Sequence, residues 1–184
     1  MTATAATRCI AVVGAECVGK TTLCRQLAQA LPGNWLPEYL REFCERLGRT
    51  PRPDEQFDIL QTQIAREAQA QQQAAADGMG WLLCDTAPII IAVYSRILFG
   101  DSSLIAPALQ HHRRYQTTLL LQPDLPWVAD GFLRDGAHVR ARCHQELTQQ
   151  LQMAAIAAHP IQGSGEARLR NALRALNAGR EIGT

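Results

Sequence analysis

The octapeptide Gly14-Ala15-Glu16-Cys17-Val18-Gly19-Lys20-Thr21 constrains the fold of this chain more than any other stretch. Its fixed positions, Gly-x4-Gly-Lys-Thr, are those of a phosphate-binding P-loop, which works only as the turn between a buried strand and a helix. Both flanks are present. Cys9-Ile10-Ala11-Val12-Val13 is short, apolar and β-branched, and from Thr21 onward Leu23, Leu27 and Leu31 recur at helical spacing until Pro32-Gly33. With glycine at about 7% of residues, the pattern arises by chance in well under roughly 1% of chains of this length. The glycines let backbone N–H groups face phosphate oxygens, Lys20 reaches the β- and γ-phosphates, and the Thr21 hydroxyl ligates Mg²⁺. Gly14 through Thr22 are therefore the expected ATP-Mg²⁺ cradle.

The rest of the chain continues the alternation. An extended segment near Trp35-Leu36 leads to Glu38, and Tyr39, Leu40, Phe43 and Leu47 mark one face of a helix stopping at Gly48. A helix from about Asp54 carries Phe57, Leu60, Ile64 and Ala68, then a Gln/Ala tract read as a solvated helix end, with Gly78 as terminator. Trp81 to Cys84 and Thr118 to Leu121 read as further buried strands. Ile156 to Ile161 reads as a strand at the sheet edge, because Pro160 lacks a ladder donor. A last helix spans about Glu166 to Asn177. The pattern predicts an α/β P-loop fold, a central five-stranded parallel sheet flanked by helices, in one domain over residues 1–184.

Several residues outside the loop are candidates for chemistry. Asp85 ends an apolar strand, where a P-loop protein holds Mg²⁺, although it can equally cap the helix after Pro88. Glu38 follows the second strand, near the ligand crevice, and can accept a substrate proton, bind a sugar, or complement a helix dipole. Arg41 faces either solvent or phosphate. The stretch from Trp127 to Arg142 concentrates Arg134, Arg140 and Arg142 and reads as an Arg-bearing helical lid over about 127–145. His111-His112-Arg113-Arg114 lacks further ligands at metal spacing and reads as an exposed helix end.

Composition narrows the function classes. Eighteen basic against 17 acidic residues leave a net charge of +1, which excludes the broad electrostatic footprint of a nucleic-acid or membrane binder. The six cysteines form no C-x-x-C pair and lie mostly in apolar runs, as in a reducing cytoplasm. No signal-like start or spanning apolar run is visible. A homo-oligomer stays open.

The chain resembles the ribosylnicotinamide kinase domain of the NadR type. The resemblance runs over nearly the whole length and rests on Gly14 to Thr22, Glu38-Tyr39-Leu40-Arg41, Gln63 with Glu67, Cys84-Asp85-Thr86, Pro123 to Gly131, and Gly163 through Arg168. Glu16 and the Asp124-x-Pro126-Trp127-x-x-Asp130-Gly131 string are its most specific parts. It implies transfer of the ATP γ-phosphate to the 5′-hydroxyl of nicotinamide riboside. It also implies Lys20 with Arg134 or Arg140 at the phosphoryl group, Glu38 or Asp85 assisting the hydroxyl, and Tyr39 or Trp127 as a stacking face for the acceptor, with Arg41 and with Glu38 or Asp130 nearby. Arg168 would lie on the adenine side. An adenylyltransferase domain ahead of the kinase, as in the best-known members, is not expected, and Cys17 and Val18 stand where small hydroxyl residues are common. Another nucleoside or nucleotide kinase, or a nucleotide-sensing module with little turnover, are the competing readings.

Overall fold

The computed structural model describes residues 7–127 and 136–181. Five strands, β1 (Arg8–Val13), β2 (Gly33–Leu36), β3 (Trp81–Asp85), β4 (Thr117–Leu121) and β5 (Ala158–Ile161), form one parallel sheet in the order β2-β3-β1-β4-β5. The helices are α1 (Lys20–Ala30), α2 (Tyr39–Leu47), α3 (Gln56–Ala76), α4 (Pro88–Phe99), α5 (Ile105–His112), α6 (Gly136–Met153) and α7 (Gly165–Glu181), with a 3₁₀ turn at Pro53–Glu55.

The period-2 alternation of a strand divides the core. On β1, Ile10 and Val12 join Leu23 and Leu27 of α1 and Leu176 of α7 on one face, whereas Ala11 and Val13 join Leu60 of α3, Ile91 of α4 and Leu147 of α6 on the other. Because both faces are covered, Cys9 to Val13 of β1 and Trp81 to Cys84 of β3 are apolar without interruption, which is the signature of a buried parallel sheet. Full burial of Leu23 and Leu27 contributes about 1.5–3 kcal/mol each, so α1 is anchored directly behind the loop that precedes it. The parallel register sets Val12 beside Asp85 and Leu36 beside Cys84, so the loops after β1, β2 and β3 emerge at one edge. That edge is the ligand crevice of an open α/β sheet.

The edge position of Pro160 is as expected: β5 borders the sheet and Pro160 lies opposite Leu120. The reading of His111 and His112 as an exposed helix end is corrected. Both are buried, while Arg113 and Arg114 are exposed. The reason is that α5 docks its last turn against α3 and β4, which supply polar partners: His111 Nε2 lies 2.7 Å from Glu67 Oε2, and His112 Nε2 lies 2.9 Å from Thr118 Oγ1. Burial, reinforced by neighbouring His111, lowers the pKa of His112 from 6.5 to about 4.

Candidate active site

The P-loop geometry explains its glycines. At Gly14 (φ 153°) a Cβ would stand 2.9 Å from Val18 Cγ2 and 3.0 Å from the Leu121 carbonyl oxygen, so only glycine lets the loop lie against the end of β4. Gly19, at φ 82°, starts α1 in a left-handed conformation. Lys20 Nζ arches back over the loop and donates to the carbonyls of Gly14 (3.1 Å) and Ala15 (2.9 Å).

Thr21 and Asp85 meet across β1. The Thr21 hydroxyl donates to Asp85 Oδ2 at 2.6 Å, and Asp85 Oδ1 is buried with no hydrogen-bond partner among the described residues. Burial pushes the Asp85 carboxyl above its ordinary pKa, while the Thr21 bond and the charge of Lys20 pull the other way. A buried carboxylate oxygen without a donor, next to a hydroxyl, is a hard-oxygen pair suited to Mg²⁺. Asp85 is not a helix cap: Ala87 holds the N-cap position of α4 and no side chain caps it. Thr86, next in sequence, adopts φ 70°, which costs a β-branched residue of order 1–3 kcal/mol.

Two cavities flank the loop. One, of about 540 Å³, follows Val18, Gly19, Lys20, Thr21 and Thr22 to Leu125 and Pro126. The other, of about 360 Å³, is walled by Ile90, Ile91, Tyr94, Leu98 and Phe99 of α4, by Gln56, and by Glu16. Cys17, Lys20, Glu38 and Arg41 line both. Glu38 is the N-cap residue of α2, and its pKa is raised chiefly by desolvation, against the opposing charges of Lys20 and Arg41. Thr50 and Pro51 close the second cavity from a loop that Arg49 braces, donating from Nη1 (2.7 Å) and Nη2 (2.6 Å) to the two carboxylate oxygens of Glu55. Glu55 is thereby held down to a pKa of about 2.

Of the residues expected at the site, Gly19 to Thr22, Glu16, Cys17, Val18, Glu38, Arg41 and Asp85 are brought together. Tyr39 is not: its ring packs edge-on to Phe43 at 6.3 Å and under the Arg66 guanidinium at 5.3 Å, which directs it between α2 and α3 instead of into either cavity. Trp127 also lines neither cavity; its indole Nε1 donates to Glu16 Oε1 at 3.4 Å. Arg168 is buried behind the loop. Its guanidinium donates to the carbonyls of Val18 and Gly163 and pairs with Asp124, so it braces the P-loop backbone, and Arg168 lines neither cavity. Arg140 is buried as well, donating from Nη2 to the Leu125 carbonyl at 2.8 Å. Asp130, Arg134 and the centre of the expected lid lie outside the described residues.

The wall supplied by α4 was not foreseen from the sequence. Its signal is an apolar helix whose last turn leaves Leu98 and Phe99 partly exposed, so its hydrophobic surface is wider than a core face needs. Among the described residues no cluster of three or more His, Cys, Asp or Glu side chains forms a separate metal site, and no helix is long and apolar enough to cross a membrane.

Comparison with known proteins agrees with this fold. No curated protein matches the sequence. Among solved structures, the NadR protein in complex with NR has a TM-score of 0.76 at 20% identity, covering 94% of this chain and 50% of its own. A NadR structure with NAD and AMP-PNP gives the same score and identity. The chain thus spans about half the length of that protein. A deoxyadenosine kinase from M. mycoides (TM-score 0.64, 11% identity, 92% of this chain and 99% of that one) shares the fold. So does a thymidylate kinase from Ehrlichia chaffeensis (0.64, 13%, 94% and 98%). The AAA domain family matches residues 9–168. With its P-loop, its parallel sheet and this match over most of its length, the chain belongs to the AAA domain family, in the P-loop fold that these nucleoside and nucleotide kinases also have.

Proposed function

We propose that the protein is an ATP-dependent kinase that phosphorylates the 5′-hydroxyl of a nucleoside, with nicotinamide riboside as the foremost acceptor. The observation that carries this reading is the meeting of a phosphate-side cavity and an apolar-walled cavity at Lys20, Glu38 and Arg41. A donor phosphate and an acceptor hydroxyl bound in the two cavities would face each other there. The apolar wall, with the aromatic rings of Tyr94 and Phe99, suits a planar base, and the carboxylates of Glu16 and Glu38 suit one carrying a fixed positive charge.

In this reading the backbone N–H groups from Ala15 to Thr22 hold the ATP phosphates, and Lys20 Nζ exchanges its two loop carbonyls for phosphate oxygens. Thr21 and Asp85 would hold Mg²⁺, which when bound would supply positive charge to the phosphates of ATP. Glu38, whose raised pKa makes it a stronger base than an ordinary carboxylate, takes the proton as the acceptor oxygen bonds to the γ-phosphorus and the bond to ADP breaks. Arg41 steadies the transferring group. Arg134, Arg140 and the expected lid would add charge and exclude water. Arg168 and Trp127 act indirectly, by fixing the loop and Glu16. A reducing cytoplasm fits six cysteines among which no disulfide forms. A single domain over 1–184 remains part of this proposal.

The test is ADP production with ATP-Mg²⁺ and, in turn, nicotinamide riboside, thymidine, other nucleosides and no acceptor, with Lys20→Ala alongside. Turnover that needs nicotinamide riboside and disappears in the variant supports the full reading. Preference for another nucleoside keeps the kinase and replaces the acceptor. No acceptor-dependent turnover at all, with ATP still bound, overturns it in favour of a nucleotide-sensing module.

A further inference from the structure

Gln63 lies in the middle of α3, is 1% exposed, and is flanked by core residues Leu60 and Ile64. Its side-chain amide makes three bonds. Oε1 accepts the Tyr39 backbone N–H at 3.1 Å, and Nε2 donates to Glu67 Oε1 at 3.0 Å and to the Thr86 carbonyl at 3.4 Å. Tyr39 is the residue after Glu38, and Thr86 is the residue after Asp85. One amide therefore ties together the two junctions, β2 to α2 and β3 to α4, that present the two carboxylates of the site.

The amide has a single workable orientation. Turned over, it would set N–H against the Tyr39 N–H and oxygen against a carbonyl and a carboxylate. Glu67 fixes that orientation and is itself fixed: its Oε2 accepts the Tyr115 hydroxyl at 2.6 Å and lies 2.7 Å from His111 Nε2. The Thr86 peptide gains most from this arrangement, because its left-handed φ of 70° is braced at the backbone by the Thr86 N–H to the Val12 carbonyl (3.1 Å) and by Gln63. A leucine would fill the same space in the core, so the amide is there for its bonds.

We propose that Gln63 is a positioning residue that sets the spacing of Glu38 and Asp85 across the cleft, with Glu67, His111 and Tyr115 as its support. The proposal rests on the kinase reading for its effect on rate but not for its effect on geometry. The experiment compares wild type, Gln63→Leu, Gln63→Glu and the swap Gln63→Glu/Glu67→Gln, all as full chains. Each is measured by steady-state kinetics with ATP-Mg²⁺ and the preferred nucleoside and by thermal melting, and Gln63→Leu also by crystallography. Gln63→Leu lowers kcat by roughly 10–100-fold with KM for ATP and acceptor within about 3-fold, as expected for ångström-scale misplacement of reacting groups. In its crystal structure Thr86 relaxes to negative φ or the Glu38–Asp85 spacing changes. Gln63→Glu is impaired in the same sense and keeps the proposal testable should the leucine variant misfold. The swap rebuilds the pairing between positions 63 and 67 and regains the melting temperature but not kcat, because the Thr86 carbonyl still lacks its donor. Wild-type kcat in Gln63→Leu or Gln63→Glu, a loss confined to KM, recovery of kcat in the swap, or an unchanged Thr86 and carboxylate spacing overturns the proposal. If wild type phosphorylates no nucleoside, the kinase reading fails, and the crystal structure alone decides the role of Gln63.

Discussion

The Thr21 hydroxyl and Asp85 Oδ2 are joined by a 2.6 Å hydrogen bond that links the first turn of α1 to the end of β3, with the second carboxylate oxygen of Asp85 left without a donor among the described residues. Substituting Asp85→Asn keeps the shape and removes the charge that this oxygen offers. We expect kcat to fall by about 10²-fold or more, the scale of losing one electrostatic contact to the transferring group. A Mg²⁺ titration of ADP production in both proteins checks this, and unchanged turnover at the wild-type Mg²⁺ concentration would count against the assignment.

Glu38 supplies a pH signature. Its folded pKa lies above the ordinary glutamate value of 4.5 because the cleft desolvates it, so it becomes protonated, and useless as a base, at a higher pH than an exposed glutamate does. The acid limb of the kcat profile should therefore lie above the normal carboxylate range, and Glu38→Gln should abolish that limb while lowering the plateau by about 10²-fold or more. A limb that survives in Glu38→Gln assigns the titration elsewhere.

The wall contributed by α4 should govern the acceptor and not ATP. Phe99→Ala removes part of the apolar surface facing the 360 Å³ cavity and is expected to raise acceptor KM by about 5–30-fold, the effect of losing about 1–2 kcal/mol of apolar contact, with ATP KM unchanged. Steady-state kinetics with each substrate varied separately distinguishes this from a general loss of folding.

His112 should make stability depend on pH. Its folded pKa of about 4 lies below the 6.5 of an unfolded histidine, so the unfolded chain binds the extra proton first as pH falls. The contribution is fully present above pH 6.5 and is lost as pH falls from 6.5 towards 4, to a maximum of about 3 kcal/mol. Thermal melts across that window should show a steeper decline for wild type than for His112→Gln, and parallel curves would refute the assignment.

Much of this was legible in the sequence, and the divisions are physical. The P-loop and the five strands announce themselves locally, since a buried parallel strand and a glycine-bounded turn are written in adjacent residues. Asp85 and Glu38 followed from position alone, because strand ends in this topology point at the crevice. What escaped was set by contacts distant in sequence. Tyr39 looks like a stacking residue until α3 brings Arg66 over its ring, and Arg168 looks like a ligand residue until Val18, 150 positions earlier, takes up its guanidinium. The charge run at 111–114 divides in two because only its histidines find partners on α3 and β4. Ile90, Ile91 and Tyr94 do not stand out in the sequence, because a cavity wall and a core face carry the same residue types.

Among the described residues the two cavities share only Cys17, Lys20, Glu38 and Arg41, and the apolar wall of the smaller one is borne almost entirely by α4. A chain built this way is free to exchange one customer for another. Substitutions along a single helix can retune which molecule is accepted while the machinery that handles the donor stays untouched, so descendants of one ancestral scaffold can diverge in what they recognise without relearning how to act on it.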